Sequence, residues 1–396
     1  MGSATDIQSR IATLAKDIDA LYQDVAQDEG SRKELLGVVQ GAMAKVESPT
    51  ETIWRMIMSP HAPAALMVLI RSGVLKDLVS SGKPKTASAI ASTTGVSETL
   101  IIRMMRPLTA LGVFRETDVY TYSSTPISEL LTAPPLYGGY QFMFDLATRS
   151  LANMPRFLER TNFKHVDGPP GPFQDCNSTE DLMFPYLMKH PDMMSNFNAF
   201  MAGSLETRPD WFQKFDAESL VLNGAKSSPE KVLLVDIAGG EGHDVQAFGR
   251  AFPSAPGRLV LQDLPPVIGN IKSLDERVER VPHDMFEEQP VRGARAYYMR
   301  NIFHDWPNDK CVEIMKRIAK AMERGYSKLL IFEWILAPKG VPLYPALLDV
   351  NMMALLNGRE RTEEEWTGLL SAAGLRVVKF HIAGPEEEGL IEAEVA

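Results

Sequence analysis

Cysteine is almost missing from this chain: Cys176 and Cys311 are the only two in 396 residues, far apart and without C-x-x-C spacing. That excludes a disulfide framework and a cysteine zinc site, and leaves both thiols as small hydrophobes of the fold. No uninterrupted apolar run approaches the roughly 20 residues needed to cross a bilayer. The N-terminus has acidic residues early and no apolar core of the signal-peptide kind. A soluble, cytoplasmic protein with no membrane partner is the expectation. Basic residues are in deficit as well, 41 Lys and Arg against 51 Asp and Glu, which gives a net charge of −10. This balance disfavours nucleic acid and anionic membranes as main partners.

What is present is ordinary globular composition, 45% hydrophobic and 23% charged, which argues against wholesale disorder. At 396 residues the chain exceeds the size at which a single core usually grows, so two domains, or one with a large extension, are expected. No internal repeat is visible.

From Ile7 to about Leu36, apolar residues such as Ile7, Ile11, Leu14, Ile18 and Leu21 recur at three- and four-residue steps, the signature of one or two amphipathic helices. Helices continue from Thr52 to Leu78, broken near Ser59-Pro60 and at Gly73. Residues Lys85 to Ser124 then read as short helix, Gly95 turn, second helix carrying Leu100, Met104, Leu108 and Leu111, and a β pair, a winged helix-turn-helix order. Arg103 and Arg106 would face phosphates in a DNA-binding protein, but the region has no clustered basic stripe, and a structural or dimer-forming use is preferred. The run from Asp167 to Phe173 is a loop. Asp181 to Ser204 is rich in Met and aromatic residues at helical spacing; core packing is the commoner reason, and walls around a flat aromatic substrate the alternative.

The C-terminal half alternates apolar strands with helices: Val232–Val235, Leu259–Gln262, Ala296–Met299, Lys328–Phe332 and Leu375–Phe380. This predicts an α/β, Rossmann-like domain with a largely parallel sheet and helices on both faces. Ligands in such sheets bind beyond the carboxyl ends of the strands.

The stretch Lys231 to Arg250 reads as strand, tight turn, helix, with Ala238, Gly239, Gly240 and Gly242 in the turn. Glycines there allow positive φ and close approach of backbone N–H groups to a nucleotide-like ligand. The spacing departs from the dinucleotide fingerprint G-x-G-x-x-G. Together with the preceding Asp236 it resembles the first motif of class I S-adenosylmethionine-dependent methyltransferases. Ala238 takes the place of their usual first glycine, which is harmless only if it keeps negative φ. Asp263 follows the next strand by position, where an acidic side chain accepts the hydroxyls of a ribose; an N-cap or turn role before Leu264-Pro265-Pro266 is the structural alternative. Asp284 and Met285 end a third short apolar segment, where a carboxylate accepts from an exocyclic amine and a Met covers an adenine face. In the stretch Ala296 to Ile318 a strand runs into Arg300-Asn301 and then His304-Asp305-Trp306-Pro307, before a helix capped near Asn308 or Asp309. A histidine at the carboxyl edge of a sheet titrates near neutral pH and can take a proton. Glu333, which leaves a buried-looking strand, is the preferred carboxylate for its Nδ1, with Glu360 as the second candidate; either would leave Nε2 free as a base. Glu360 alternatively belongs with a capping box around Thr362–Glu365.

In order, LVDIAGGEGHD, LVLQDLPPVI, HDMFEE, MRNIFHDWPNDKCVEIMKRI, LLIFEWIL, LLDVNMMAL and GRERTEEEW make the chain similar to the small-molecule O-methyltransferases of the plant caffeate type and their fungal relatives. The resemblance covers most of residues 210 to 396. It implies a class I methyltransferase domain over 211–396, a helical, winged-helix-like dimerisation region over 1–130 that builds a homodimer, and a helical linker and substrate-pocket segment over 131–210. Carried over by motif, Asp236, Gly240 and Gly242 surround the methionine part of S-adenosylmethionine. Asp263, with Leu264 beside it, binds ribose, and Asp284 and Met285 bind adenine. Arg300 lies near the cofactor, where the family often has Lys. His304 is the general base, bracketed by Glu333 and Glu360, and Met201, Asp349, Met352 and Met353 line the acceptor pocket. S-adenosylhomocysteine is the expected product, and no metal is expected. The implied reaction is methyl transfer to a hydroxyl, phenolic by preference, of an aromatic or polyketide-like secondary metabolite. Two alternatives stand beside it: a methyltransferase-fold cyclase, pericyclase or dehydratase that binds the cofactor without transferring methyl, and a winged-helix DNA-binding regulator.

Overall fold

Asp28 divides the N-terminal amphipathic stretch: its carboxylate accepts from the Ser31 N–H and caps a second helix, so the expected span is two helices, α1 (Ala4–Val25) and α2 (Glu29–Val46). The computed structural model describes all residues except 1–3, 26, 167, 207–208, 229 and 385. Two compact units form, Met1–Ser124 and Thr125–Ala396.

In the first unit a capping box between Ser48 and Glu51 starts α3 (Pro49–Met58), and α4 (His61–Arg71) resumes after the Ser59–Pro60 break. Only when joined across that break do α3 and α4 become long and apolar enough to cross a membrane, a length the uninterrupted runs of the sequence do not reach. Leu66, Met67, Leu69 and Ile70 of this stretch are buried within the protein. After Gly73, whose φ of 77° suits glycine, α5 (Val74–Ser81) leads to β1 (Lys85–Thr86), α6 (Ala87–Thr94) and α7 (Glu98–Ala110). The wing follows as β2 (Arg115–Asp118) and β3 (Thr121–Ser123), in the order β1-β3-β2. One detail differs from the sequence reading: the buried face of α7 is Ile101, Met105 and Leu108, whereas Leu100 and Leu111 are exposed. Two apolar stripes with nearly the same spacing run along this helix, and packing selects between them.

The second unit opens with helices that include α8 (Pro134–Phe142) and α9 (Pro191–Glu206). Gly139 lets them approach closely, since a Cβ there would lie 2.3 Å from the Phe200 ring. Phe142, Leu146, Phe173, Met183 and Leu187 form the buried part of an aromatic and methionine cluster that Phe184, Met193, Phe197 and Phe200 complete. The stretch expected as a helical linker therefore packs within the same unit as the sheet. Of the expected loop 167–173, Asp167 lies outside the described residues, and a helix already begins at Pro172.

The main sheet contains β4 (Val232–Ile237), β5 (Arg258–Asp263), β6 (Val278–Pro282), β7 (Ala296–Arg300) and β8 (Lys328–Glu333), all parallel. A separate two-stranded pair, β9 (Ile335–Leu336) and β10 (Arg361–Thr362), lies beyond β8 in sequence. The main sheet is completed by β11 (Leu375–His381) and β12 (Gly389–Val395) in the order β11-β12-β8-β7-β4-β5-β6, with β12 antiparallel to both neighbours. Helices α10 (His243–Ala251), α11 (Asn308–Ala321), α12 (Leu343–Leu356) and α13 (Glu363–Ala372) belong to the same unit. Alternation along the strands feeds two cores: Tyr297 and Leu329 face Ile314, Met315 and Trp366 on one side, and Tyr298 and Leu330 face Trp211, Val245 and Phe248 on the other. The N-cap of α11 is Pro307, not Asn308 or Asp309 as expected, because Asn308 already has helical backbone and its side chain is held elsewhere. The strand order reverses at β4, between β5 and β7, which places a ligand crevice at the carboxyl ends of β4 and β7.

Candidate active site

At that crevice β4 ends in Asp236 and Ile237, and the turn follows with Ala238 at φ 56°, Gly240 at 59° and Gly242 at 82°. Ala238 thus does not keep the negative φ that would have made it harmless; an L-residue in this region costs about 1–2 kcal/mol. Gly239 is demanded by contact: a Cβ there would sit 2.5 Å from the Asp236 carboxylate. Asp236 is buried, its Oδ2 has no hydrogen-bond partner, and burial together with the neighbouring Asp244 pushes its carboxyl well up. Asp263 ties the turn to β5, its Oδ2 accepting from the Gly240 N–H at 2.8 Å and its Oδ1 from the Leu264 N–H at 2.7 Å. Asp284 is exposed and accepts from the Phe286 N–H, with half-buried Met285 beside it.

Arg300, at the end of β7, is held in a buried network that the sequence reading missed. Its guanidinium lies 3.0 Å from Asp244 and 3.4 Å from Glu388. The Tyr298 hydroxyl donates to Asp244 at 2.7 Å and the Asn301 amide to Glu388 at 3.0 Å. Asp244 stands inside the glycine-turn stretch, so an acid in the first turn of its helix was the available signal; Glu388 lies 88 residues from Arg300 and gave none.

His304 occupies a single helical turn, Phe303–Asp305, and is 8% exposed. Its Nδ1 lies 2.7 Å from Oε1 of the wholly buried Glu360. This corrects the preference for Glu333, whose Oε1 instead accepts from the backbone N–H groups of Ile302 at 3.0 Å and Phe303 at 2.6 Å. A carboxylate at the end of β8 meets the turn's backbone before it can reach the ring. Nor is Nε2 left free, since Asp305 Oδ1 lies 3.5 Å away. Burial disfavours the imidazolium, yet Asp305, Glu360 and Glu333 outweigh it and lift His304 to about 10. Burial also raises the two other acids, Asp305 to about 6 and Glu333 to about 7, against the pull of His304. Asp349, expected in the acceptor pocket, places its Oδ1 2.8 Å from the Glu360 N–H and so holds the base's partner. Met352 is buried and Met353 half-buried on α12, and Met201 is half-buried on α9.

Residues 54–134 match the O-methyltransferase dimerisation domain and residues 218–376 the O-methyltransferase domain. The chain is 38% identical over 314 residues to the O-methyltransferase asqD of Emericella nidulans, covering 78% of this chain and 81% of that protein. This chain belongs to the O-methyltransferase family. Its fold is similar to that of a pericyclic reaction enzyme (27% identity, TM-score 0.89, covering 98% of this chain and 100% of that one). It is also similar to OxaC in complex with SAH and oxaline (28% identity, TM-score 0.85, covering 98% of this chain and 100% of that one).

The enzyme is an S-adenosylmethionine-dependent O-methyltransferase. The residues present fit that cofactor. A buried carboxyl with an unpartnered oxygen, Asp236, suits a cationic group, and the turn beside it faces open space at Gly240, where even an added Cβ would meet nothing within 4 Å.

Proposed function

We propose that the enzyme methylates a phenolic hydroxyl of a small aromatic or polyketide-like secondary metabolite, with His304 as general base. The observation that carries this reading is the 2.7 Å contact between Glu360 and Nδ1 at the carboxyl edge of the sheet. It keeps a proton on Nδ1 and makes Nε2 the atom that exchanges one. The neighbouring carboxyls of Asp305, Glu360 and Glu333 favour the charged ring, so an imidazole that has taken the proton of a phenol is stabilised as the imidazolium. For the transfer to occur the acceptor hydroxyl must replace Asp305 beside Nε2.

S-adenosylmethionine, when bound, supplies an electrophilic methyl on sulfur, and the protein contributes position and exclusion of water. Asp236 with the turn at Gly240 and Gly242 would hold its amino-acid part. Asp263 and Leu264 would hold its ribose, Asp284 and Met285 its adenine, and Arg300, braced by Asp244 and Glu388, would form the charged floor. Met201, Met352 and Met353 would supply apolar walls for a flat acceptor. A homodimer formed through the N-terminal unit is supported by the dimerisation domain at 54–134.

Full-length enzyme incubated with methyl-labelled cofactor and a panel of phenols tests the reading: label should appear in product and disappear with His304→Ala. A cofactor-dependent product without label would instead support the rearrangement reading, which the likeness to a pericyclic reaction enzyme keeps open.

A further inference from the structure

Arg361 lies within the motif GRERTEEEW, where the sequence reading gave it no task; it is 1% exposed and, among the described residues, its guanidinium has no carboxylate within ion-pair distance. A buried cation is costly unless its donors are satisfied, and here most of the acceptors belong to the segment 303–308, with longer contacts of 3.3 Å from Nη1 to the Arg359 carbonyl and from Nη2 to Cys311 Sγ. Nη1 donates to the Phe303 carbonyl at 2.8 Å, and Nη2 to the Trp306 carbonyl at 2.8 Å. Nε and Nη2 donate to Asn308 Oδ1 at 3.1 and 3.0 Å. The two carbonyls flank His304 and Asp305, so the planar fork spans the turn that carries the imidazole.

The backbone that bears this fork begins immediately after Glu360. On the other side of Glu360, the Arg359 N–H donates to the His304 carbonyl at 2.9 Å, and Gly358 lies so close that a Cβ would be 1.9 Å from that oxygen. Both neighbours of Glu360 are therefore fastened to the turn that holds its partner. We propose that Arg361 is a positioning residue for the base: its guanidinium locks the 303–306 turn to the segment of Glu360 and thereby fixes the separation of His304 from Glu360. Lysine cannot replace it, because one ammonium cannot reach both carbonyls and Asn308 in fork geometry. The assignment rests on His304 being the base, but the lock itself is a statement about geometry.

The test uses full-length Arg361→Lys, Arg361→Gln and Asn308→Ala, each compared with wild type by S-adenosylhomocysteine calorimetry, steady-state kinetics on an acceptor found in the label assay, and NMR of the His304 imidazole. Displacement of a reacting group by ~1 Å costs on the order of 100-fold, so kcat of both Arg361 variants should fall by about that factor. Acceptor KM and cofactor affinity should stay within about twofold. The downfield Nδ1–H resonance of His304 should be lost or move in both. Asn308→Ala, which removes one partner of the fork and leaves the cation, should show a smaller change of the same kind. An Arg361→Lys enzyme with wild-type kcat and imidazole spectrum overturns the proposal, as does parallel loss of cofactor affinity and kcat. Should the Arg361 variants not fold, an unaltered spectrum and kcat in Asn308→Ala overturns it. If His304→Ala retains turnover, the base assignment fails while the NMR comparison still decides the lock.

Discussion

Glu360 Oε1 lies 2.7 Å from His304 Nδ1, while Glu333, at the end of β8, gives its Oε1 to the backbone N–H groups of Ile302 and Phe303. Two acids of one cluster therefore have separable tasks: one faces the ring, the other folds the turn. Losing each should do different damage. Glu360→Ala is expected to lower kcat by about 100- to 1,000-fold, within the range of a general-base contribution, with S-adenosylhomocysteine affinity kept. Glu333→Ala leaves two buried N–H groups unpaired and should cost roughly 2–4 kcal/mol in urea unfolding. If Glu333→Ala proves as stable as wild type while losing activity, the division of labour is wrong.

Alkaline pH should destabilise the fold. His304 is lifted to about 10 although burial opposes its charge, so the folded state holds the proton more tightly than the unfolded chain. That contribution is fully present below the ordinary value near 6.5 and is lost as pH rises through about 10. Asp305 and Glu333, also raised, act in the same direction at lower pH, their contributions fading as pH rises through about 6 and about 7. Between pH 7 and 9.5 the unfolding free energy should fall by about 1 kcal/mol per unit, the slope of a single proton. Urea melts of wild type and His304→Asn across this window check it: equal slopes in the two would remove His304 as the source. Over the same window kcat should rise, because more of the imidazole is free to accept a proton.

At the glycine turn, Ala238→Gly should stabilise the enzyme. Ala238 sits at φ 56°, where glycine carries no Cβ penalty. The gain is partly offset by the greater freedom of glycine in the unfolded chain, leaving about 0.5–1 kcal/mol. Thermal melts would show it, and S-adenosylhomocysteine affinity should be unchanged. A lower melting temperature would mean that the Ala238 methyl makes contacts that outweigh its backbone strain.

These residues also show where sequence reading reaches and where it stops. The positions of Asp236, Asp263, Asp284 and His304 were legible because each lies at or within a few residues of the end of an apolar run, and the parallel sheet orders such ends along one edge. Strand β12 was not, since a short antiparallel insertion gives no βα alternation. Which acid reaches His304 depends on contacts 31 and 56 residues apart in sequence, and the Arg361 fork on contacts 53 to 58 apart. No local period encodes them. The two apolar stripes of α7 show the same limit within one helix: spacing identifies a helix, and only its packing partner decides which stripe is buried.

The apolar stripe of α1 is expected to take part in association. Ile7, Ile11 and Leu14 are 50%, 62% and 59% exposed within one chain, and Ile53, Trp54 and Ile57 of α3 are exposed as well. Side chains at helical spacing on one face do not remain in water by default, and a contiguous patch of them marks an interface. The dimerisation domain at 54–134 takes in most of α3's exposed face, and α1 precedes it in sequence. A second copy of the chain is therefore the expected cover, and the native mass should be twice 43.9 kDa. Placing charge at Ile11 and Leu14 together should shift the enzyme toward monomer at micromolar concentration, read by light scattering, while each monomer keeps its far-ultraviolet circular dichroism. Should Ile11→Asp with Leu14→Asp leave the mass at the dimer value, the stripe of α1 is not part of the subunit contact, and association rests on the winged-helix portion alone.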